Sequence, residues 1–110
     1  MPETLRRRAD FLAAAKGRRQ VTPGFLLQAL PRGIESPARI GFTCSKKIGN
    51  AVMRNRAKRR LRALARDVMP TQARRGWDYV LVGRPGATTV RDFASMRDEL
   101  ISALHKVHRA

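Results

Sequence analysis

Nine lysines and arginines fall within SKKIGNAVMRNRAKRRLRALAR, residues Ser45 to Arg66, and no Asp or Glu occurs between Glu35 and Asp67. A charge run is ordinarily a solvated face, but one of a single sign with no carboxylate to relieve it is suited to the binding of phosphate. If a helix starts at Asn50, its free backbone N–H groups point to the same place as Arg54 and Arg56, which is a site for anions.

Other reactive residues are few. A protein that cleaves phosphodiesters needs carboxylates to hold metal ions or a histidine pair for acid and base work. The eight acidic residues are scattered, with only Asp98 and Glu99 adjacent. His105 and His108 share a helix side near the chain end without a carboxylate beside them, and read as cations at a helix C-terminus. No metal site and no catalytic residue is expected. Cys44 is the single cysteine, which excludes an intrachain disulfide and a cysteine-rich zinc site; it reads as a small buried hydrophobe in a cytoplasmic protein.

The phosphate-binding residues need an element to hold them. At helical spacing, Met53, Ala57, Leu61, Leu64 and Val68 form one apolar stripe. Asn55, Arg59, Arg62 and Arg66 lie opposite it, and Arg56, Lys58 and Arg60 flank it. The like-charge pairs Arg54/Lys58, Arg56/Arg60, Lys58/Arg62 and Arg62/Arg66 each cost roughly 0.2 to 0.5 kcal/mol. Burial of Leu61, Leu64 and Val68, at roughly 1.5 to 3 kcal/mol each, can carry that penalty. A helix kept against its own repulsion marks a functional surface. Asn50 is the predicted N-cap and Pro70 the predicted end.

At 110 residues the chain is one domain with one core, and its net charge of +16 points to a polyanionic partner. No apolar run approaches the roughly 18 residues of a membrane span, and the basic helix lacks the aromatic face of a membrane-surface helix. The apolar stretch Phe11–Ala15 is too short for a signal-peptide core. It reads as a short helix with Leu5, Phe11, Leu12 and Ala15 available for packing and Gly17 as its stop.

Strands are predicted at Arg18–Val21, Phe25–Leu30, Ala38–Cys44 and Trp77–Gly83, with the second and third as antiparallel neighbours. Strand parity puts Phe25, Leu27, Ala29, Ile40, Phe42 and Cys44 on a core face. Leu26, Gln28, Leu30, Arg39, Gly41 and Thr43 line the reverse face, a shallow groove of mixed polarity. Thr89 is the predicted cap of a last helix with Phe93, Met96, Leu100, Leu104 and Val107 buried. The resulting fold class is α+β, a two-layer sandwich of three helices and a mixed sheet of about four strands in the order αβββαβα.

The segment SKKIGNAVMRNRAKRRLR, built around Arg54-Asn55-Arg56, resembles the signature of the bacterial ribonuclease P protein subunit. Weaker similarity covers most of the chain: Asp10-Phe11 before an early glycine, the strand Phe25–Leu30, and the strand Asp78–Gly83 followed by Arg84-Pro85. The resemblance implies a ribosomal-protein-S5-domain-2-like fold. It also implies a ribonucleoprotein that removes the 5′ leader of precursor tRNA, in which the RNA subunit and its Mg2+ ions carry the hydrolysis. Lys46, Arg54, Asn55, Arg56, Lys58, Arg59 and Arg62 would then contact the ribonuclease P RNA. Phe11, Leu26, Gln28, Thr43 and Lys47 would hold the leader of the precursor tRNA. The family often has aromatic side chains where this chain has Ala15 and Gln28, which shifts leader binding toward Lys47 and hydrogen bonding. No stable protein partner and no membrane are required. Two other readings use the same residues: a ribosomal-type or general RNA-binding or chaperone protein without a role in cleavage, and a self-sufficient nuclease.

Overall fold

The computed structural model describes residues 1–33 and 35–109. Five strands, β1 (Glu3–Thr4), β2 (Arg18–Val21), β3 (Phe25–Pro31), β4 (Arg39–Thr43) and β5 (Trp77–Gly83), form one mixed sheet. Three helices, α1 (Arg8–Ala15), α2 (Ala51–Gln72) and α3 (Phe93–Arg109), pack on it. The α+β class and the three helices match the sequence reading. β1, two residues pairing parallel to β4, was not predicted and brings the strands to five.

Spatially the strands run β1-β4-β5-β3-β2. β3 and β4 are therefore not the antiparallel neighbours that the sequence predicts. β5 lies between them, antiparallel to β3 and parallel to β4. Parity along each strand nevertheless holds. Phe25, Leu27, Ala29, Ile40, Tyr79 and Leu81 form the core face and meet Leu61, Leu64 and Val68 of α2 and Met96, Leu100 and Leu104 of α3. Phe42 and Cys44 are half-buried at its margin.

Other expectations shift locally. Pro70 sits inside the last turn of α2 rather than ending it. At that position the ring removes only the bond to the Arg66 carbonyl, on an exposed residue, and the Ala73 N–H closes the turn on the Met69 carbonyl at 2.9 Å. α3 starts at Phe93, and its cap is Asp92, whose Oδ2 accepts the Ser95 N–H at 2.9 Å. Thr89 is instead buried in the preceding turns, where neighbouring Thr88 donates to the Gly24 carbonyl at 2.6 Å. In α1 the buried residue is Ala14, while Leu12 is 53% exposed and Ala15 faces solvent.

Two polar clusters hold the sheet in register. Asp78, 1% exposed on β5, accepts from Arg39 Nε and a terminal nitrogen of Arg39 at 2.8 and 2.7 Å, with Arg32 Nε 3.0 Å away. A bidentate pair of this kind fixes geometry as well as charge. Arg39 also reaches Asp10 at 3.2 Å and so ties the start of α1 to the sheet. Its guanidinium is held above its ordinary pKa, chiefly by the hydrogen bond to Asp78.

On the opposite face of the same end of β5, Tyr79 Oη lies 2.7 Å from His108 Nε2 and accepts the Arg74 N–H at 2.9 Å. Trp77 meets the His108 ring edge-on at 4.9 Å. Burial pushes the Tyr79 phenol up to about 12, so it stays protonated and shares a hydrogen bond with the imidazole. Burial first, and then Arg74, His105 and Arg18, lower His108 from 6.5 to about 4. His108 is thus a neutral packing residue and not the helix-end cation read from the sequence.

Because the folded pKa lies below the unfolded one, the unfolded chain takes this proton first as pH falls. The His108 contribution to stability is full above pH 6.5 and is lost on the way down to about 4. Urea unfolding at pH 7 and pH 5 should show wild type losing on the order of 1 to 2 kcal/mol more than His108→Gln, after allowance for solvent screening. Equal losses in the two proteins would rule out this role.

Candidate nucleic-acid interface

The ridge begins in the loop after β4. Ser45 Oγ accepts the Lys47 N–H at 3.3 Å and starts a single 3-10 turn, Lys46–Ile48, whose Ile48 is buried while Lys46 and Lys47 are exposed. Gly49 follows at φ 142°, a conformation that side chains disfavour. Asn50 Oδ1 then accepts the Met53 N–H at 3.0 Å and caps α2, as predicted. The apolar stripe is buried from Ala57 through Leu61, Leu64 and Val68, with Met53 half-covered at the start.

That burial turns the cations outward. Asn55, Arg56, Arg59, Arg62 and Arg66 are exposed, and Arg54 and Lys58 are half-exposed beside them. The Arg62 guanidinium lies 5.9 Å from the Phe42 ring centre, a cation–π contact that leans it over the edge of the sheet. Arg60 leaves the ridge and donates to the Arg91 carbonyl, so it braces α2 against the approach to α3.

Charge pairing separates this ridge from the rest of the molecule. Among the described residues, Lys46, Lys47, Arg54, Arg56, Lys58, Arg59, Arg62 and Arg66 form no salt bridge. The carboxylates of Asp10, Glu35, Asp67, Asp78 and Glu99 are engaged by Arg39, Arg75, Arg97, Arg32 and Arg91. The cations at the exposed start of α2 are left without neutralisation from within the chain, beside a helix N-terminus that is itself positive.

The second face of the sheet carries the groove. Register aligns Leu26, Val82 and Thr43 in one row, and Gln28, Val80 and Gly41 in the next. α1 covers the second row: Leu5, Ala14 and Val80 are buried together with Phe11 against them. The Phe11 ring rests on Gly41, where an added Cβ would come within 2.5 Å of it. The first row stays half-exposed and forms the open floor.

The structure therefore brings Leu26 and Thr43 into one row, with Gln28 and Phe11 beside it, and places Lys47 on the exposed turn four residues beyond Thr43. Val82 was missed as a floor residue. Strand parity already opposes Val82 to Tyr79 and Leu81; its position between Leu26 and Thr43 depends on strand order. Gly41 was assigned to this face, but its role as the seat of Phe11 was not foreseen.

No group of three or more His, Cys, Asp or Glu among the described residues is placed to hold a metal ion. No helix is long and apolar enough to cross a membrane among those residues. What the two surfaces offer is an array of fixed positive charge and an adjoining uncharged trough floored by Leu26, Val82 and Thr43.

The chain resembles known proteins along nearly its whole length. The model of the Ribonuclease P family matches residues 1–108. A ribonuclease P protein component from Ruegeria pomeroyi is 56% identical over 106 residues, covering 94% of this chain and 85% of the relative. One from Gluconacetobacter diazotrophicus is 50% identical over 103 residues, covering 93% and 88%. Among solved structures, the ribonuclease P protein of Thermotoga maritima superposes with a TM-score of 0.77 at 28% identity, covering 96% of this chain and 97% of that one.

The seat of Phe11 gives a direct test of the groove. Gly41→Ala should displace the Phe11 ring and loosen α1, at a cost of about 1 to 3 kcal/mol. Thermal melting and the ring resonances of Phe11 would report it, and unchanged melting with unshifted resonances would show that the contact does not shape the groove.

Proposed function

This chain belongs to the ribonuclease P protein family, and we propose that it binds the RNA subunit of that ribonuclease along the α2 ridge and the 5′ leader of precursor tRNA in the groove beneath α1. Arg54, Arg56, Lys58, Arg59 and Arg62, with Lys46 and Lys47 at the helix start, neutralise RNA phosphates, and Asn55 supplies a directional hydrogen bond. Leu26, Val82 and Thr43 form the leader floor, Phe11 and Gln28 its wall, and Lys47 meets the leader backbone where the groove opens toward the ridge.

One observation carries this reading: among the described residues the exposed cations of α2 have no acidic partner, while five carboxylates are engaged by other arginines. A helix that tolerates such repulsion on its own is suited to a polyanion that relieves it. Cleavage is assigned to the RNA. Mg2+ ions supply a Lewis acid and an activated water when bound there, and among the described residues no carboxylate cluster is placed to hold them. The protein acts by lowering the repulsion between two RNA molecules and by fixing the leader beside the ridge. It does so in the cytoplasm and without a further protein partner.

Mixing the purified protein with ribonuclease P RNA and labelled precursor tRNA at low magnesium tests the assignment. Leader removal should require both components. RNA binding without stimulated cleavage would favour a general RNA-binding protein, and cleavage by the protein alone would place the active site in this chain.

Arg59→Ala should flatten the salt dependence of RNA binding by about 0.7 to 0.9 log units per log unit of salt, with fold stability unchanged or higher. A slope equal to wild type together with lost stability would make Arg59 structural.

A further inference from the structure

A second cluster of positive charge lies beyond the C-terminal end of α2, away from the start of the ridge. Arg74, just beyond α2, and His105, Lys106 and Arg109 on α3 surround one open hollow whose remaining lining residue is Ser102. Arg74, His105, Lys106 and Arg109 are all exposed, and none of them forms a salt bridge among the described residues. Neighbouring Arg75 differs: it pairs with Glu35 at 3.7 Å.

Capping of a helix C-terminus is the ordinary reason for cations in such a place, but that effect fades beyond the last turn. Ser102 and His105 lie further up α3, and Arg74 belongs to a different element. The Val107 carbonyl, moreover, already accepts from an Arg18 terminal nitrogen at 2.7 Å. The nearest acids in sequence, Asp98 and Glu99, border an adjoining hollow with Gln20 to Pro23 that shares Ser102 and Lys106 with this one; neither forms a salt bridge with Lys106, and Glu99 is engaged by Arg91. The positive field reaches buried groups as well, since Arg74 and His105 both help to hold the His108 imidazole neutral.

We propose that Arg74, Lys106 and Arg109, with Ser102 and His105 as hydrogen-bonding neighbours, form a second phosphate-binding site for the backbone of RNA. Its distance from the start of the ridge is set by α2, which runs roughly 24 Å from Arg56 to its C-terminal end, with Arg62 and Arg66 between. An RNA that fills both sites must present phosphates that far apart along the helix layer, which favours a folded RNA surface over one short segment. The inference rests on the RNA-binding reading above and adds a separate contact to it.

The test uses the full chain with two RNAs in parallel, ribonuclease P RNA alone and precursor tRNA alone, each titrated across a salt series. Arg74→Ala, Lys106→Ala and Arg109→Ala should each lower the salt slope by about 0.7 to 0.9 for the RNA that occupies the site, and leave it unchanged for the other. Lys106→Glu should weaken that same complex on the order of tenfold at 0.15 M salt. Circular dichroism melts of the same variants separate lost contacts from lost fold. If Arg59→Ala flattens the slope while Arg74→Ala, Lys106→Ala and Arg109→Ala do not, the second site is wrong and the ridge stands. If the wild type binds neither RNA in a salt-dependent way, the underlying RNA-binding reading fails instead.

Discussion

Contact between the apolar side of α2 and the core face of the sheet decides where every exposed cation of that helix points. Ala57, Leu61 and Leu64 are fully buried and Val68 is 2% exposed, so the helix has no rotational freedom about its axis. Each like-charge pair on the far side costs roughly 0.2 to 0.5 kcal/mol. One buried leucine, at roughly 1.5 to 3 kcal/mol, offsets the four of them. The protein can therefore keep an unneutralised ridge folded and available, and the energy that holds it comes from the opposite, buried face of the helix.

The central position of β5 does comparable work for the other surface. It divides the sheet into a helix-covered side, with Tyr79 and Leu81, and a groove side, with Val80 and Val82. Asp78 on the same strand gathers Arg39 and Arg32, and Arg39 extends the cluster to Asp10 on α1. Buried ion pairs of this kind add little net stability, and their attested use is to favour one arrangement over others. Here the arrangement is the register of β4 on β5 and the placement of α1, which together set the width of the groove.

Ridge and groove are neighbours because β4 feeds both. Thr43 ends the strand on the groove floor, Lys46 and Lys47 follow on the 3-10 turn, and Asn50 caps the ridge helix. A ligand lying along the floor reaches the cationic turn within a few residues. This continuity places an uncharged floor and an unneutralised cationic ridge side by side on one small domain.

Much of this was readable in the residues alone. The 3.6-residue period of Ala57, Leu61, Leu64 and Val68, the Asn50 cap, the two-residue alternation of Phe25 to Leu30 and the single sign of the ridge are local patterns. Each reports which side of an element is buried whatever lies across from it. What they cannot report is which element lies across. The insertion of β5 between β3 and β4, the entry of Val82 into the groove floor, the retreat of Arg60 to the Arg91 carbonyl and the neutral state of His108 beneath Tyr79 all depend on residues at least 29 positions apart in sequence. The continuation of α2 through Pro70 and the start of α3 at Asp92 were likewise settled by packing, because a local stop signal yields where the lost bond faces water or where an earlier residue is drawn into the core. Periodicity thus determined the faces and their charge, and only the tertiary structure decided which faces meet.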